Sequence, residues 1–241
     1  MDAVEAYVLH ARAYRESSQL VDLLSVEHGR IGVLTRGNRG SKRGQPLQPF
    51  RRYRIALGGR GELRRAGTVE AIGAPCLLNG RALYAALYLN ELLVRLLHRD
   101  LPVPDVVELY ARALAQLAAG AALEPVLRCF EKQLLDELGY GHRYGETVEG
   151  EPVLAAALYT FEPERGVRLA GAGLPAERCF SGVALQALEQ DGFAALANEE
   201  TLALALRDAK RLMRAALAPH LGDRPLHSRA LFRPARTVTG D

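Results

Sequence analysis

The hydrophobic period of this chain changes once, near residue 77, and that change limits the fold more than any other feature. Before it, five short runs at residues 4–13, 19–26, 30–35, 50–57 and 62–72 lie between polar or glycine-bearing segments, the pattern of strands joined by turns. Alternation is cleanest in the fourth run, where Tyr53, Ile55 and Leu57 share one face and Arg52 and Arg54 the other. One side packs inward; the other offers cations to solvent. Glu27-His28-Gly29 and Gly58-Gly59-Arg60-Gly61 are hairpin signals, and five strands of this size fit a small closed barrel. We expect an OB-fold, although periodicity alone leaves other small barrels open.

From Leu77 onward the period is helical. Residues 81–98 place Leu83, Leu87, Val94 and Leu97 in one stripe with Tyr84, Tyr88 and Leu92 beside it, and the two tyrosines read as core. Pro102 and Pro104 end this segment. Asp105 and Glu108 have the spacing of an Asp variant of the capping box and predict a second helix through Leu117. A third begins near Pro125, aligns Leu127, Phe130, Leu134 and Leu138, and stops at Gly139. Residues 142–180 break the period with Gly, Pro and Glu around two β-like runs, Tyr159-Thr160-Phe161 and Gly166-Val167-Arg168-Leu169, and read as a small irregular insert. Helices return at 183–190 and 200–219. The expected architecture is a multidomain α+β chain: a five-stranded barrel domain over residues 1–78, then an α-helical domain over 79–241 carrying a metal-free insert at 142–180.

With 49% hydrophobic and 24% charged residues among 241, the chain is too apolar for disorder and too interrupted by charge for a membrane span. No basic segment followed by an apolar stretch opens it, so a cytoplasmic protein is expected. Cys76, Cys129 and Cys179 are far apart and form no CxxC, which supports neither zinc nor a disulfide framework.

The net charge of +3 conceals its distribution. Residues 1–80 carry 13 basic and 7 acidic side chains, residues 81–206 carry 10 and 18, and residues 207–241 carry 8 and 3. Between Arg30 and Arg65 eleven basic residues stand against Glu62 alone. Such a field attracts a polyanion and releases its counterions on contact. A solvated basic face without a partner is the alternative, but this density across strands and loops favours nucleic acid. The segment Gly37-Asn38-Arg39-Gly40-Ser41-Lys42-Arg43-Gly44-Gln45-Pro46 lacks the GxxxxGK[ST] spacing of a phosphate-cradling loop. It is better suited to following a nucleic-acid backbone.

Several segments carry a resemblance. Tyr88-Leu89-Asn90-Glu91-Leu92-Leu93, Leu127-Arg128-Cys129-Phe130-Glu131, Leu134-Leu135-Asp136-Glu137-Leu138-Gly139-Tyr140-Gly141 and Leu221-Gly222-Asp223-Arg224-Pro225-Leu226-His227-Ser228-Arg229-Ala230-Leu231-Phe232 resemble those of the RecO family of recombination mediators. Leu47-Gln48-Pro49-Phe50 and Gly58-Gly59-Arg60-Gly61-Glu62 also resemble it, so the likeness runs over nearly the whole chain. It implies an OB-fold and a helical domain that bind single- and double-stranded DNA and anneal complementary strands in DNA repair and recombination after DNA damage. The implied partners are RecR, the acidic C-terminal tail of the single-stranded DNA-binding protein and, indirectly, RecA, whose loading is assisted. A nucleoid-associated location follows. Many relatives carry a four-cysteine zinc module after the third helix, whereas residues 142–179 hold one Cys and one His. The chain therefore resembles the zinc-free branch, and no metal ligand is assigned.

On this basis Arg36, Arg39, Lys42 and Arg43 are expected to contact phosphates, with Arg52, Arg54, Arg60, Arg64 and Arg65 extending the track across the barrel. Tyr53, opposite Arg52 and Arg54, is expected in the core. Arg128, in the Leu-Arg-x-Phe-Glu segment, is assigned to the carboxylate of the partner tail; the alternative is a helix-surface arginine paired with Glu124 or Glu131. Arg211, Arg214, Arg229 and Arg233 form either a second DNA track or a cap on the last helix. Six histidines are dispersed and no GxSxG, HExxH or paired-Asp metal motif occurs, so no catalytic residue and no cofactor is assigned. The competing function is a non-catalytic scaffold whose basic barrel binds an acidic protein.

Overall fold

The computed structural model describes residues 2–16, 18–36, 47–59, 61–196 and 198–232, with the backbone alone at Asp2 and Arg36. Strands β1 (Asp2–Tyr14), β2 (Ser18–Ser25), β3 (Gly29–Arg36), β4 (Arg52–Gly58) and β5 (Leu63–Ile72) close into a barrel in the order β1-β2-β3-β5-β4. The β3–β5 pairing is parallel and the other four are antiparallel. This is the five-stranded arrangement of the OB-fold, as expected. Val4, Ala6, Val8, Val21, Leu23, Ile31, Val33, Tyr53, Ile55 and Leu57 fill its interior. Tyr53 is core, its hydroxyl accepting from the Gln48 N–H at 3.2 Å.

The register of β1 on β2 slips between Val8 and His10, leaving Leu9 as a bulge. Before the slip Val4, Ala6 and Val8 point inward; after it Ala11 packs against the core. His10, Arg12 and Tyr14 therefore turn outward. A buried side chain meets the displaced backbone: Asn90 Nδ2 donates to the Leu9 carbonyl at 2.6 Å, and Asn90 Oδ1 accepts from the Tyr110 hydroxyl at 2.5 Å.

Two compact units organise the chain, Met1–Gly120 with Arg224–Asp241, and Ala121–Asp223. The first contains the barrel, α1 (Gly80–Leu96), α2 (Pro104–Ala118) and a short 3-10 turn at His227–Phe232, so the strand-to-helix change at residues 78/79 falls inside it. Arg30 closes the C-terminal end of α1: its guanidinium donates to the Val94 and Leu97 carbonyls at 2.5 and 3.4 Å and pairs with Asp22 at 3.0 Å. Carbonyls at a helix end lack intrahelical donors, and a cation suits the negative end of the dipole. The capping box expected at Asp105 does not form. Pro104 takes the first helical position, Val103 precedes it without a side-chain cap, and Asp105 sits in the first turn.

Glu91 on α1 accepts from the backbone N–H groups of His227 and Ser228, both at 2.8 Å, and from the Ser228 hydroxyl at 2.5 Å. Two of the segments that carried the resemblance, one containing Asn90 and Glu91 and the other His227 and Ser228, thus serve the architecture of this unit. Burial opposes ionisation of Glu91, but the Ser228 and His227 hydrogen bonds outweigh it and hold the carboxyl below its ordinary range.

The second unit contains α3 (Leu123–Glu137), α4 (Gly182–Glu189), α5 (Glu199–Leu221) and the insert. Helix α3 ends at Gly139 as expected, with φ +77°. Tyr140 N–H donates to the Leu135 carbonyl at 2.8 Å and Gly139 N–H to that of Asp136 at 3.0 Å, the paired bonds of a Schellman cap. The insert is more regular than its composition suggests: β6 (Leu158–Glu162), β7 (Gly166–Leu169) and β8 (Phe180–Ser181) form a sheet in the order β7-β6-β8. Helix α5 ties it down. Arg211 donates to the carbonyls of Glu177 and Cys179 at 2.5 and 2.9 Å, lies 4.8 Å from the Phe180 ring centroid, and pairs with Asp208, which accepts from Ser181 N–H. Among the described residues no three His, Cys, Asp or Glu side chains are placed to hold a metal ion, and no helix is long and apolar enough to cross a membrane.

Candidate nucleic-acid interface

The barrel divides its cations into paired and unpaired groups. Glu5 lies opposite Arg54 in the β1–β4 register, and both Arg52 and Arg54 bond its carboxylate, Arg54 at 2.7 Å. Glu70, opposite Arg54 on β5, stands 4.0 Å from it. Cross-strand neighbours of opposite charge attract, and the hydrogen bond from Arg54 is the main cause holding Glu5 below the ordinary carboxylate range, against the opposing effect of desolvation. Arg64 pairs with Asp100 at 2.6 Å. The track assigned across Arg52, Arg54 and Arg64 is therefore interrupted by carboxylates from β1 and from the segment after α1. Arg52 and Arg54 keep 46% and 53% side-chain exposure, with Glu5 shared between them and Glu70 at the edge of ion-pair distance from Arg54.

Arg39, Lys42, Arg43 and Arg60 lie outside the described residues, and Arg36 closes β3. Arg65 is exposed, and its register partner is Leu34. Leu34 in turn lies opposite Leu20 on β2, and Leu20 opposite Arg12 on β1. Arg12, Leu20, Leu34 and Arg65 consequently form one row over four adjacent strands. Val21 and Val33 fill the core from the opposite face, so this row looks outward. Leu20 and Leu34 are half-buried and Arg12 is exposed. Among the described residues no carboxylate lies within ion-pair distance of Arg12, Arg15 or Arg65.

The next row toward the hairpin tip runs Tyr14, Ser18, Arg36. Tyr14 is 37% exposed, and the Arg15 guanidinium sits 5.3 Å from its ring centroid. The face thus offers a shallow apolar floor, cations at both edges and an aromatic ring at one end. In OB-folds the face of strands 2 and 3, with the loops joining strands 1–2 and 4–5, takes oligonucleotides and oligosaccharides. Arg12, Tyr14, Arg15, Leu20 and Leu34 were absent from the sequence assignment. For Arg12 and Tyr14 the sequence carried no signal, because the Leu9 bulge reverses the outward face of β1 and leaves no mark on a period of two; Leu20 and Leu34 alternate with the inward Val21 and Val33 on their own strands.

In the second unit Arg128 is 4% exposed and pairs with Glu131 at 2.8 Å. Glu131 is one of the two partners named in the alternative for this residue, although the pair is buried rather than on the helix surface: the arginine holds a carboxylate of its own helix, and its Nε has no acceptor among the described residues. Arg211 is committed to the insert, Arg229 lies 5.9 Å from the Tyr88 ring centroid, Arg214 is exposed, and Arg233 lies outside the described residues. Only Cys179 is fully buried; half-burial pushes the Cys129 thiol up to about 11.

Barrel order and outward face together define an OB-fold protein whose outer β1-β2-β3-β5 face is edged, among the described residues, by cations without a carboxylate partner, and whose barrel is followed by helices. Residues 1–75 match the family described as Recombination protein O N terminal, and residues 77–230 match Recombination protein O C terminal. The chain is 45% identical over 230 residues to the DNA repair protein RecO of Pseudomonas paraeruginosa strain PA7, covering 95% of this chain and 94% of that protein. It is 46% identical over 231 residues to RecO of Pseudomonas putida strain GB-1, covering 95% and 96%. It belongs to the RecO family of DNA repair proteins.

Proposed function

We propose that this chain is a non-catalytic, DNA-binding recombination mediator. It binds single- and double-stranded DNA, anneals complementary strands and, with RecR, assists loading of RecA onto DNA coated by single-stranded DNA-binding protein. The observation that carries this reading is the outward row Arg12, Leu20, Leu34 and Arg65, in a chain of a DNA repair family. Guanidiniums at the two edges meet phosphates, and the leucines between them give bases an apolar floor. Arg36, Arg39, Lys42 and Arg43, which continue from the end of β3, and Arg60, between β4 and β5, extend the same field.

Annealing needs no covalent step. A surface that neutralises two backbones at once lowers the repulsion between complementary strands. Arg52 and Arg54 join in by exchanging Glu5 for phosphate, and Arg64 by exchanging Asp100. The acidic tail of the single-stranded DNA-binding protein reaches Arg128 only by displacing Glu131. A cytoplasmic, nucleoid-associated location belongs to the same reading.

The test is a strand-annealing assay with fluorescent complementary oligonucleotides, comparing the wild-type chain with Arg12→Glu/Arg65→Glu. The reversal is expected to slow annealing and to lower the salt slope of single-strand binding by about 1.4, at about 0.7 per phosphate contact. Unchanged annealing removes this face from the site. Binding to an acidic protein with no affinity for DNA supports the scaffold instead.

A further inference from the structure

We propose that Tyr14 is a base-stacking residue that gives the barrel face a preference for unpaired strands. The proposal rests on the DNA-binding reading above and adds to it the determinant of strand form. Four observations meet at this side chain. The Leu9 slip turns Tyr14 out of the barrel, so its ring contributes nothing to the core that holds Tyr53. It remains 37% exposed at the tip of the β1–β2 hairpin.

The Arg15 guanidinium lies over the ring at 5.3 Å, with Arg15 itself at φ +54°. A ring beneath a cation is a platform on which a nucleobase and a phosphate can be held together. Register sets Tyr14 in a row with Ser18 and Arg36, next to the row of Arg12, Leu20, Leu34 and Arg65. The aromatic ring thus closes one end of a cation-edged apolar floor.

The chemistry discriminates between strand forms. Every base has a π-face, but in a duplex those faces are already stacked on their neighbours. Tyr14 can therefore act only on unpaired nucleotides, whereas Arg12, Arg15 and Arg65 act on phosphates of either form. The ligand is a short run of unpaired nucleotides without base specificity.

The experiment uses the full chain and measures Kd for an oligothymidylate and for a blunt duplex over a range of salt. Stacking is read separately from the emission of an oligonucleotide carrying 2-aminopurine. Tyr14→Ala is expected to weaken single-strand binding by about fivefold to a hundredfold, leave duplex binding within about twofold, keep the single-strand salt slope, and abolish 2-aminopurine quenching. Tyr14→Phe keeps the ring and is expected to restore wild-type behaviour. Arg15→Gln is expected to lower the salt slope by about 0.7 while keeping the quenching.

Single-strand affinity unchanged in Tyr14→Ala overturns the proposal, as does an equal loss for both strand forms. Failure of Tyr14→Phe to rescue also overturns it. In each case salt-dependent binding by the wild-type chain shows that the DNA reading itself survives. If the wild-type chain binds neither form, that reading fails first and the stacking role falls with it.

Discussion

Glu5 shows how a single carboxylate edits a basic surface. From the sequence, Arg52 and Arg54 stand in a window whose one acid is Glu62. Strand pairing brings Glu5 between them from far along the chain, so identity and local charge were legible and partnership was not. Glu5→Gln frees Arg52, leaves Arg54 only its long contact with Glu70, and is expected to tighten DNA binding and steepen its salt dependence; an unchanged affinity takes this flank out of the DNA track. The folded pKa of Glu5 is depressed below its ordinary 4.5, so its pairing contributes above that value and is lost as pH falls through the folded pKa. Glu91 has the same sign, since its carboxyl is also held low. Acid titration followed by carboxyl NMR is expected to show both groups protonating below 4.5, with the His227–Phe232 turn released as Glu91 takes up its proton.

Elements were the most legible scale. Alternation of Tyr53, Ile55 and Leu57 located β4, and the stop at Gly139 located the end of α3. Period two could not reveal the bulge at Leu9, because it depends on a buried amide on α1 that the strand's own residues do not specify. Asn90→Ala leaves the Leu9 carbonyl and the Tyr110 hydroxyl without their partner. An unsatisfied buried polar group costs about 1–3 kcal/mol, so urea unfolding of this variant is expected to shift to a clearly lower midpoint. A midpoint equal to wild type contradicts the role given to Asn90. The small sheet was half legible: two of its strands were visible as β-like runs, whereas β8 spans only Phe180 and Ser181. Arg211→Ala removes the guanidinium that binds the Glu177 and Cys179 carbonyls and is expected to speed amide exchange around Cys179 while sparing β1–β5.

For the whole molecule, charge composition located the excess of cations in the N-terminal third of the chain but not which of them are paired. Within residues 1–80 the excess of basic over acidic side chains is six, yet Arg30, Arg52, Arg54 and Arg64 are paired, and the open face is edged by Arg12 and Arg65. The insert follows similar logic: Asp208 and Arg211 hold it to α5, and elemental analysis of the purified chain is expected to find no stoichiometric zinc. One bound metal per chain would contradict this account of its stability.

The most direct test of the whole account is the salt dependence of single-strand binding by the unmodified chain, followed by fluorescence anisotropy. A linear fall of log affinity with log salt is expected, with a slope near −0.7 for each phosphate neutralised and at least about −2 in total. A slope near zero would contradict an interface built from the unpaired guanidiniums of the barrel.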